Sequence, residues 1–283
     1  MTWHLTEDVA EFELATKEFL LADPVGNTVL LTVAAILAGS GADAYGTPPR
    51  LGWYQREGEA VQGAFLRTPP RPALVSALPD HAVAPLLAVD DVPSAFSGPA
   101  GTVAALADSW TAAAPGRRST VAMRQRLYRL SELTPPSPMP EGGARIAGLA
   151  DLDLLLGWFD AFAADIGSGT GTGHSGGTPA NLIEDRVRNE LLLLWEVDGV
   201  PVSLAGVTLP AGGTVRVAPV YTPPALRGRG YAGAATAEIS RRIRAAGHEA
   251  VLFTDLANPT SNALYQRIGY REVQDYTIVQ LER

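Results

Sequence analysis

Hydrophobic residues in the first half of the chain recur at helical spacing in some segments and cluster in short strand-like runs in others. Val9, Phe12, Ala15 and Phe19 lie three or four positions apart and predict a helix over residues 7–22. Glu57-Gly58-Glu59 separates two short apolar runs, as in a hairpin. The pattern predicts further helices over 27–37 and 100–113, and strands over 51–55, 60–66, 73–78 and 120–130.

The second half shows a similar order of elements. Leu152, Leu155, Leu156 and Phe159 lie at helical spacing and predict a helix over residues 150–165. A glycine-rich stretch, 167–177, predicts a flexible loop. The pattern also predicts helices over 179–189, 232–246 and 260–268, and strands over 190–197, 202–209, 214–222, 250–254 and 272–281.

Helix, helix, hairpin and strand therefore occur in this order twice, which predicts a duplicated α/β architecture. Between the copies stands Thr134-Pro-Pro-Ser-Pro-Met-Pro140, whose prolines exclude both a helix and a central strand. We interpret residues 134–141 as a proline-rich linker between an N-terminal domain, 1–133, and a C-terminal domain, 142–283.

Composition narrows the classes of partner. The net charge is −8 and no basic stripe is visible, so nucleic acid is not an expected partner; an acidic surface modestly favours a cationic small molecule. Cysteine is absent and the histidines are scattered, so neither a disulfide nor a metal site is expected. The longest apolar run, 29–38, is too short to span a membrane, and no signal peptide is visible. We expect a cytoplasmic protein that does not enter a membrane, and the sequence leaves its oligomeric state open.

The run Arg227-Gly228-Arg229-Gly230-Tyr231-Ala232 joins a predicted strand to a predicted helix. A glycine-rich turn at a helix start directs several backbone N–H groups toward one point at the positive end of the helix dipole. The run therefore predicts a site for a phosphorylated cofactor.

The same turn spells Gly228-x-Gly230-x-x-Gly233, the dinucleotide fingerprint, and Asp255 ends the following strand. A nicotinamide enzyme is consequently one alternative. Against it, two prolines separate the strand from the glycines, and only about 30 residues follow Asp255, too few for the further βα units of that fold.

A second motif decides between these alternatives. Asn258 is followed seven residues later by Tyr265 and then by Gly269-Tyr270. Together with Arg227-x-x-Gly230-x-Ala232, this segment resembles the GNAT acyltransferase superfamily. The resemblance implies two GNAT-like domains of α/β (α+β) class, each a mixed, mostly antiparallel sheet flanked by helices. The N-terminal copy, which lacks the glycine turn, would be degenerate.

The resemblance further implies acetyl-CoA as acyl donor and a small-molecule amine as acceptor. Tyr265 would serve the leaving thiolate, and the amide of Val220 would stabilise the oxyanion. The strand end at Val220, Tyr221 and Thr222 would pair with the pantetheine arm. The remaining cofactor contacts would come from the turn and from two asparagines: Arg227, Gly228, Arg229, Gly230, Tyr231, Ala232, Gly233, Asn258 and Asn262.

The general base stays open. Family members carry a glutamate at positions that correspond here to Thr214 and Phe253. Asp255, His174 or a water molecule are the alternatives, and a helix-capping role for Asp255 is the favoured interpretation of that residue. The main hypothesis is an N-acetyltransferase that acts by direct attack of the amine on the thioester; a non-catalytic acyl-CoA-binding or sensing protein is the alternative.

Overall fold

The structure is a computed structural model that describes residues 2–89, 92–170 and 178–283, with the backbone alone for 167–170. The described chain divides into two compact units. The first comprises residues 1–126 and 274–283, and the second comprises residues 127–273.

The first unit follows the order strand, two helices, three strands, helix, strand, helix. Strands β1 to β4 form an antiparallel series, whereas β4 and β5 pair in parallel and β5 pairs antiparallel with the final strand of the chain, β12. The elements are β1 (Thr2–Thr6), α1 (Val9–Ala22), α2 (Thr28–Ser40), β2 (Arg50–Gln55), β3 (Gly63–Arg67), β4 (Ala73–Val75), α3 (Asp80–Leu86), β5 (Ala95–Pro99), α4 (Ala100–Ala112) and β6 (Arg118–Leu130).

The second unit repeats this order. Strands β7 to β10 form an antiparallel series, and β10 and β11 pair in parallel. In sheet order β6 follows β11, and its last residues, from Leu127, belong to this unit. The elements are β7 (Gly143–Ile146), a 3-10 turn (Leu149–Asp151), α5 (Leu152–Thr170), α6 (Ala180–Arg188), β8 (Leu192–Val197), β9 (Val200–Val207), β10 (Thr214–Tyr221), a second 3-10 turn (Pro224–Leu226), α7 (Tyr231–Ala245), β11 (Glu249–Asp255), α8 (Pro259–Arg267) and β12 (Tyr270–Glu282).

The mixed, mostly antiparallel architecture predicted from the sequence is confirmed. The compact units, however, have other bounds than the predicted domains. The C-terminal part of β12 completes the sheet of the first unit, where Val279 and Leu281 are buried beside Phe96 and Trp110. Because a strand takes its place by pairing and burial, and not by its position in the chain, the last ten residues belong to the first unit.

Each unit buries apolar side chains in two clusters. In the second unit, one cluster contains residues of α7 and α8 and the other contains residues of α5 and α6. The sheet is therefore buried on both faces, which fits the nearly continuous apolar runs of β8 and β9. A cavity of about 300 Å³ in the first unit is lined by residues of β1, β2, β3 and the segment after α3, and it contains none of the predicted site residues.

Two predicted segments differ from the structure. Helix α5 continues to Thr170, over the first four residues of the predicted glycine loop, while His174 lies outside the described residues. The proline-rich segment 134–141, predicted as a linker between domains, belongs to the second unit. Its backbone is fixed there, because Thr134 donates to the carbonyl of Ile268 at 3.0 Å and Trp195 donates from Nε1 to the carbonyl of Glu141 at 2.9 Å.

None of the helices in the described ranges is long and apolar enough to cross a membrane.

Candidate active site

The turn before α7 has the backbone conformation that only glycine adopts easily. Gly228 has φ +79° and Gly230 has φ +85°, and Gly230 is the N-cap of α7. The first turn of α7 carries no acidic residue, whereas Arg242 and Arg244 lie in its last turn. The N-terminal end of this 15-residue helix is therefore electropositive, and its own first turn adds no carboxylate.

The backbone N–H groups of this turn are available to a ligand. Within the described part of the chain, no acceptor is found for the N–H groups from Gly228 to Gly233, and the first donor after them is Ala234, which bonds to the carbonyl of Gly230 at 3.1 Å. The first N–H groups of a helix have no intrahelical acceptor, and Gly228, Arg229 and Gly230 are exposed, so water or a ligand can satisfy them. The geometry therefore fits an anion with several oxygens, such as a pyrophosphate.

Beside this turn the sheet opens. Strands β10 and β11 pair in parallel only over Thr214 to Arg216, although β10 continues to Tyr221 and β11 to Asp255. On its other side, β10 pairs with β9, and a register shift separates Val217 from Val220. The C-terminal halves of β10 and β11 therefore do not pair with each other, which leaves room between the two strands for an extended ligand.

The amide predicted to hold the oxyanion lies in this opening. Val220 lies opposite Ala205 and Tyr221 lies opposite Leu204. In an antiparallel ladder, successive residues direct their N–H groups alternately toward the partner strand and away from it. One of the two amides, Val220 or Tyr221, is therefore directed toward the β11 side, and Val220 as the donor stays a prediction.

The last residue of β10, Tyr221, and the residue after it, Thr222, are both in contact with Ser203. Ser203 donates from Oγ to the carbonyl of Tyr221 at 3.1 Å and lies 2.8 Å from the Thr222 hydroxyl. Tyr221 is buried, with its ring 5.8 Å from that of Trp158. These contacts fix the direction of the strand end but leave the pairing of its main chain with a cofactor untested.

Tyr265 lies on α8 and is the predicted proton donor. Its side chain is 8% exposed, and its ring lies 6.1 Å from that of Tyr270, nearly edge-on. Burial raises the pKa of Tyr265 to about 12, so the phenol stays protonated at neutral pH. Its hydroxyl makes no hydrogen bond to another described residue, whereas that of Tyr270 lies 2.7 Å from Ser240 Oγ. Tyr265 therefore has a hydrogen to donate and no protein acceptor for it.

Arg227 binds protein groups instead of facing the turn. Its Nε donates to the carbonyl of Thr222 at 2.9 Å, and its Nη2 donates to Asp165 Oδ2 at 2.5 Å. Sequence analysis did not single out Asp165, which lies on α5 far away in the chain, because no local pattern connects it with the turn. Arg229 is the more available cation: its Nη2 has one long contact, 3.4 Å, with the carbonyl of Ala225.

The two asparagines support α8 and its N-terminal turn. Asn258 is the N-cap of α8 and accepts from the N–H of Ser261 at 3.0 Å. Asn262 donates to the carbonyls of Asp255 and Asn258, at 2.8 and 2.7 Å. Both roles in cofactor binding stay predictions.

A buried tyrosine, which sequence analysis missed, also bonds to Asn262. Tyr128 on β6 is 1% exposed and donates from its hydroxyl to Asn262 Oδ1 at 2.9 Å. Asn262 therefore uses its amide nitrogen and its amide oxygen within the protein. No local pattern could have joined two residues so far apart in the chain.

The alternatives for the general base narrow only slightly. Asp255 accepts from the N–H of Ala257 at 2.8 Å and so stabilises the turn before α8. The two positions at which the family carries a glutamate, Thr214 and Phe253, hold no carboxylate. Among the described residues no cluster of histidine and carboxylate side chains is placed to hold a metal.

Known proteins resemble this chain both in the sequence of the site and in the fold. Residues 202–279, which include the turn, both strands of the opening and Tyr265, match the family model described as FR47-like protein. The structure resembles an acetyltransferase of the GNAT family from Colwellia psychrerythraea over 100% of this chain and 99% of that one, with TM-score 0.61 and 13% identity. The chain has a GNAT fold. The resemblance to the GNAT superfamily that the sequence motifs predict is thereby confirmed.

Two further structures extend over nearly the whole chain. A GCN5-related N-acetyltransferase from Sphaerobacter thermophilus covers 99% of this chain and 95% of its own, with TM-score 0.57 and 16% identity. A Drosophila protein covers 99% and 98%, with TM-score 0.67 and 13% identity. No curated relative matches the chain. Identities this low establish the GNAT fold, and the chemistry has to be argued from the site.

Proposed function

We propose that this chain is an acetyl-CoA-dependent N-acetyltransferase that transfers the acetyl group to the amine of a small molecule. The observation that carries the proposal is the row of backbone N–H groups from Gly228 to Gly233, which have no acceptor in the described chain and begin a long helix beside the β10–β11 opening. A pyrophosphate satisfies these groups, and a linear arm reaches the opening from there.

The residues present support direct transfer. The neutral amine of the acceptor attacks the thioester carbonyl, and an amide of β10 stabilises the oxyanion. When the C–S bond breaks, the leaving thiolate takes the proton of the Tyr265 hydroxyl, and the tyrosinate regains a proton from water, which is favourable because burial raises the pKa of Tyr265 to about 12. The amine gives up its proton to water, to Asp255 or to His174, since Thr214 and Phe253, which correspond to the glutamate positions of some family members, hold no carboxylate.

The alternative is a protein that binds acyl-CoA without turnover, and the absence of a carboxylate at Thr214 and Phe253 is the observation that favours it. For the transferase, the net charge of −8 favours an amine acceptor that is cationic in solution.

Two measurements, made one after the other, test the binding of CoA and the transfer of the acetyl group. Calorimetry with CoA, acetyl-CoA and NAD should show binding of the first two and none of NAD; binding of NAD alone would favour the dinucleotide interpretation of the glycines. Turnover of acetyl-CoA with a library of amines, followed by detection of the free thiol, separates the transferase from the binding protein. Thiol release that no amine increases would contradict transfer to an amine.

A further inference from the structure

The proline-rich segment 134–141 follows the surface of the second unit from α8 to β8. It starts at the C-terminal end of α8, where Thr134 is bonded to Ile268, and it ends at β8, where Glu141 is bonded to Trp195. Between these two anchors the segment is in contact with the beginning of α7.

The contacts with α7 involve glycines of the proposed phosphate turn. A Cβ placed on Gly233 would lie 3.5 Å from Pro136 Cγ, and one placed on Gly230 would lie 3.7 Å from Pro140 Cβ. Proline rings therefore border the turn on one side while its N–H groups remain without acceptors. The segment forms a wall of the anion site and does not occupy it.

This wall is apolar and partly open to solvent. From Pro135 to Pro140 the sequence contains no charged residue. Met139, directly before Pro140, is 50% exposed, and Pro140 is half-buried. An exposed methionine next in the chain to Pro140, which borders the turn, suits a ligand in which a flat apolar ring adjoins a phosphate, because sulfur and aliphatic carbons pack well against aromatic faces.

We propose that Met139 and Pro140 form a platform for the adenine ring of CoA. The inference rests on the proposed function, because it takes the pyrophosphate to be held by Gly228 to Gly233. In CoA the pantetheine arm leaves one side of the pyrophosphate and the adenosine leaves the other. With the arm in the β10–β11 opening, the adenosine has to leave the turn by another border, and the proline-rich wall forms a border of the turn at Gly230 and Gly233.

The test compares three ligands that contain different parts of the cofactor. CoA and 3′-dephospho-CoA both contain adenine, whereas 4′-phosphopantetheine lacks it. Calorimetry on the full chain should show that Met139→Ser and Pro140→Ala weaken CoA and 3′-dephospho-CoA by roughly three- to tenfold, with 4′-phosphopantetheine unchanged. Leu149→Ser is the matched control, because Leu149 is 51% exposed and lies in the same unit, and it should change none of the three affinities.

Each other result overturns the platform in a recognisable way. Equal weakening of all three ligands would mean that the segment supports the turn and does not contact the base. Unchanged affinity of CoA in both variants would mean that adenine binds elsewhere, while the proposed function stands. If the unmodified protein binds none of the three ligands, the proposed function fails together with the platform. Thermal unfolding of each variant verifies its fold, and Met139→Ser alters an exposed position, so it keeps the test decisive if Pro140→Ala does not fold.

Discussion

Two turns occupy corresponding places in the two units: one joins β4 to α3 in the first unit, and the other joins β10 to α7 in the second. They differ in backbone conformation and in the charge at the start of the helix that follows. The first reads Ser76-Ala77-Leu78-Pro79 and leads into a helix of 7 residues with Asp80 in its first turn. The second contains Gly228 and Gly230 at positive φ and leads into a helix of 15 residues without an acid in its first turn. With the same order of elements, the helix N-terminus is therefore electropositive in the second unit, whereas in the first unit it carries a carboxylate.

The hydrogen bonds of the two turns show the same contrast. In the first unit, the N–H of Leu78 is bonded to Thr102 Oγ1 at 3.2 Å and that of Ser76 to the carbonyl of Ala64 at 3.0 Å. In the second, Leu226 and Arg227 donate to the carbonyls of Pro223 and Pro224, whereas the N–H groups from Gly228 to Gly233 have no acceptor in the described chain. The comparison teaches that the order of elements alone does not create the proposed anion site, which requires the backbone conformation of Gly228 and Gly230 and a first helical turn without a carboxylate.

The largest effect is expected from Gly230→Val, which should remove measurable binding of CoA. A valine at φ +85° is strained, and its branched side chain would crowd Pro140, which borders the turn, so the N–H groups of the turn should lose the arrangement that a pyrophosphate needs. Calorimetry with CoA measures the loss.

Gly247→Val is the matched control for this substitution. Gly247 follows α7 at φ +80°, and a Cβ there meets nothing within 4 Å. Both variants should lose about 1–2 kcal/mol of stability from the strained backbone, and only Gly230→Val should lose CoA. A folded Gly230→Val protein with the affinity of the parent would rule out the turn as the cofactor site.

The next effect concerns Tyr265→Phe, which should lower the turnover number by ~10²–10⁴-fold while CoA affinity changes little. The ring still fills its place, but the proton for the thiolate is gone. Because the pKa of Tyr265 is raised to about 12, the rate of the parent should rise with pH as the acceptor amine deprotonates and should not fall again near pH 10.

Tyr270→Phe distinguishes chemistry from packing. Tyr270 is also buried, and burial likewise raises its pKa, but its hydroxyl lies 2.7 Å from Ser240 Oγ. Its loss should reduce stability and leave the turnover number intact. Turnover of Tyr265→Phe equal to that of the parent would assign Tyr265 to the core alone.

The parts of this site that follow from local sequence could be predicted, and the parts made by distant contacts could not. Two glycines before a helix, Gly228 and Gly230, indicate residues with positive φ, so the turn was predictable. Asn258 is a preferred capping residue, so the start of α8 was predictable as well. The bonds from Arg227 to Asp165 and from Tyr128 to Asn262 join residues far apart in the chain, for which a single sequence contains no signal.

The same distinction applies to the fold. Long amphipathic helices were predicted with small errors at their ends, whereas the short elements β1, α3, β5 and β7 were missed because four to seven residues make a weak pattern. The placement of the end of β12 in the first unit depends on its pairing with β5, which no hydropathy pattern specifies.

A smaller effect should follow from transferring the acid of the first unit into the second. Ala232→Asp places a carboxylate in the first turn of α7, as Asp80 does in α3. The charge favours the helix dipole and opposes a pyrophosphate, so CoA affinity should fall by roughly 10–100-fold while the melting temperature stays level or rises.

Ala232→Asn introduces a side chain that is as large as that of aspartate but uncharged, so it separates the effect of the charge from the effect of the added volume. It should retain most of the affinity, and the difference between the two variants should shrink at high salt. Equal losses in both variants would attribute the effect to crowding and would remove the electrostatic explanation of the contrast between the units.

The smallest effects concern the ion pairs beside the first strand of each unit. In the first unit Arg50 and Glu7 form one exposed pair at 3.0 Å, so Glu7→Gln should change the free energy of unfolding by less than about 0.5 kcal/mol. In the second, Arg145 donates to both oxygens of Asp151, at 2.7 and 2.8 Å, and Asp151 is 13% exposed. Asp151→Asn should therefore cost about 1–3 kcal/mol at pH 7.

The pH dependence of the two variants completes this test. The hydrogen bond from Arg145 holds the pKa of Asp151 below its usual 3.8, so the folded state binds the proton less readily than the unfolded chain does. The stabilisation is present above about pH 4 and is lost as the pH falls below it. Urea unfolding at pH 7 and at pH 3 should show that the gap between the parent and Asp151→Asn narrows in acid, while Glu7→Gln remains close to the parent at both. A gap that does not depend on pH would mean that Asp151 stabilises the unit by packing and by its hydrogen bond to Gly148, and not by its charge.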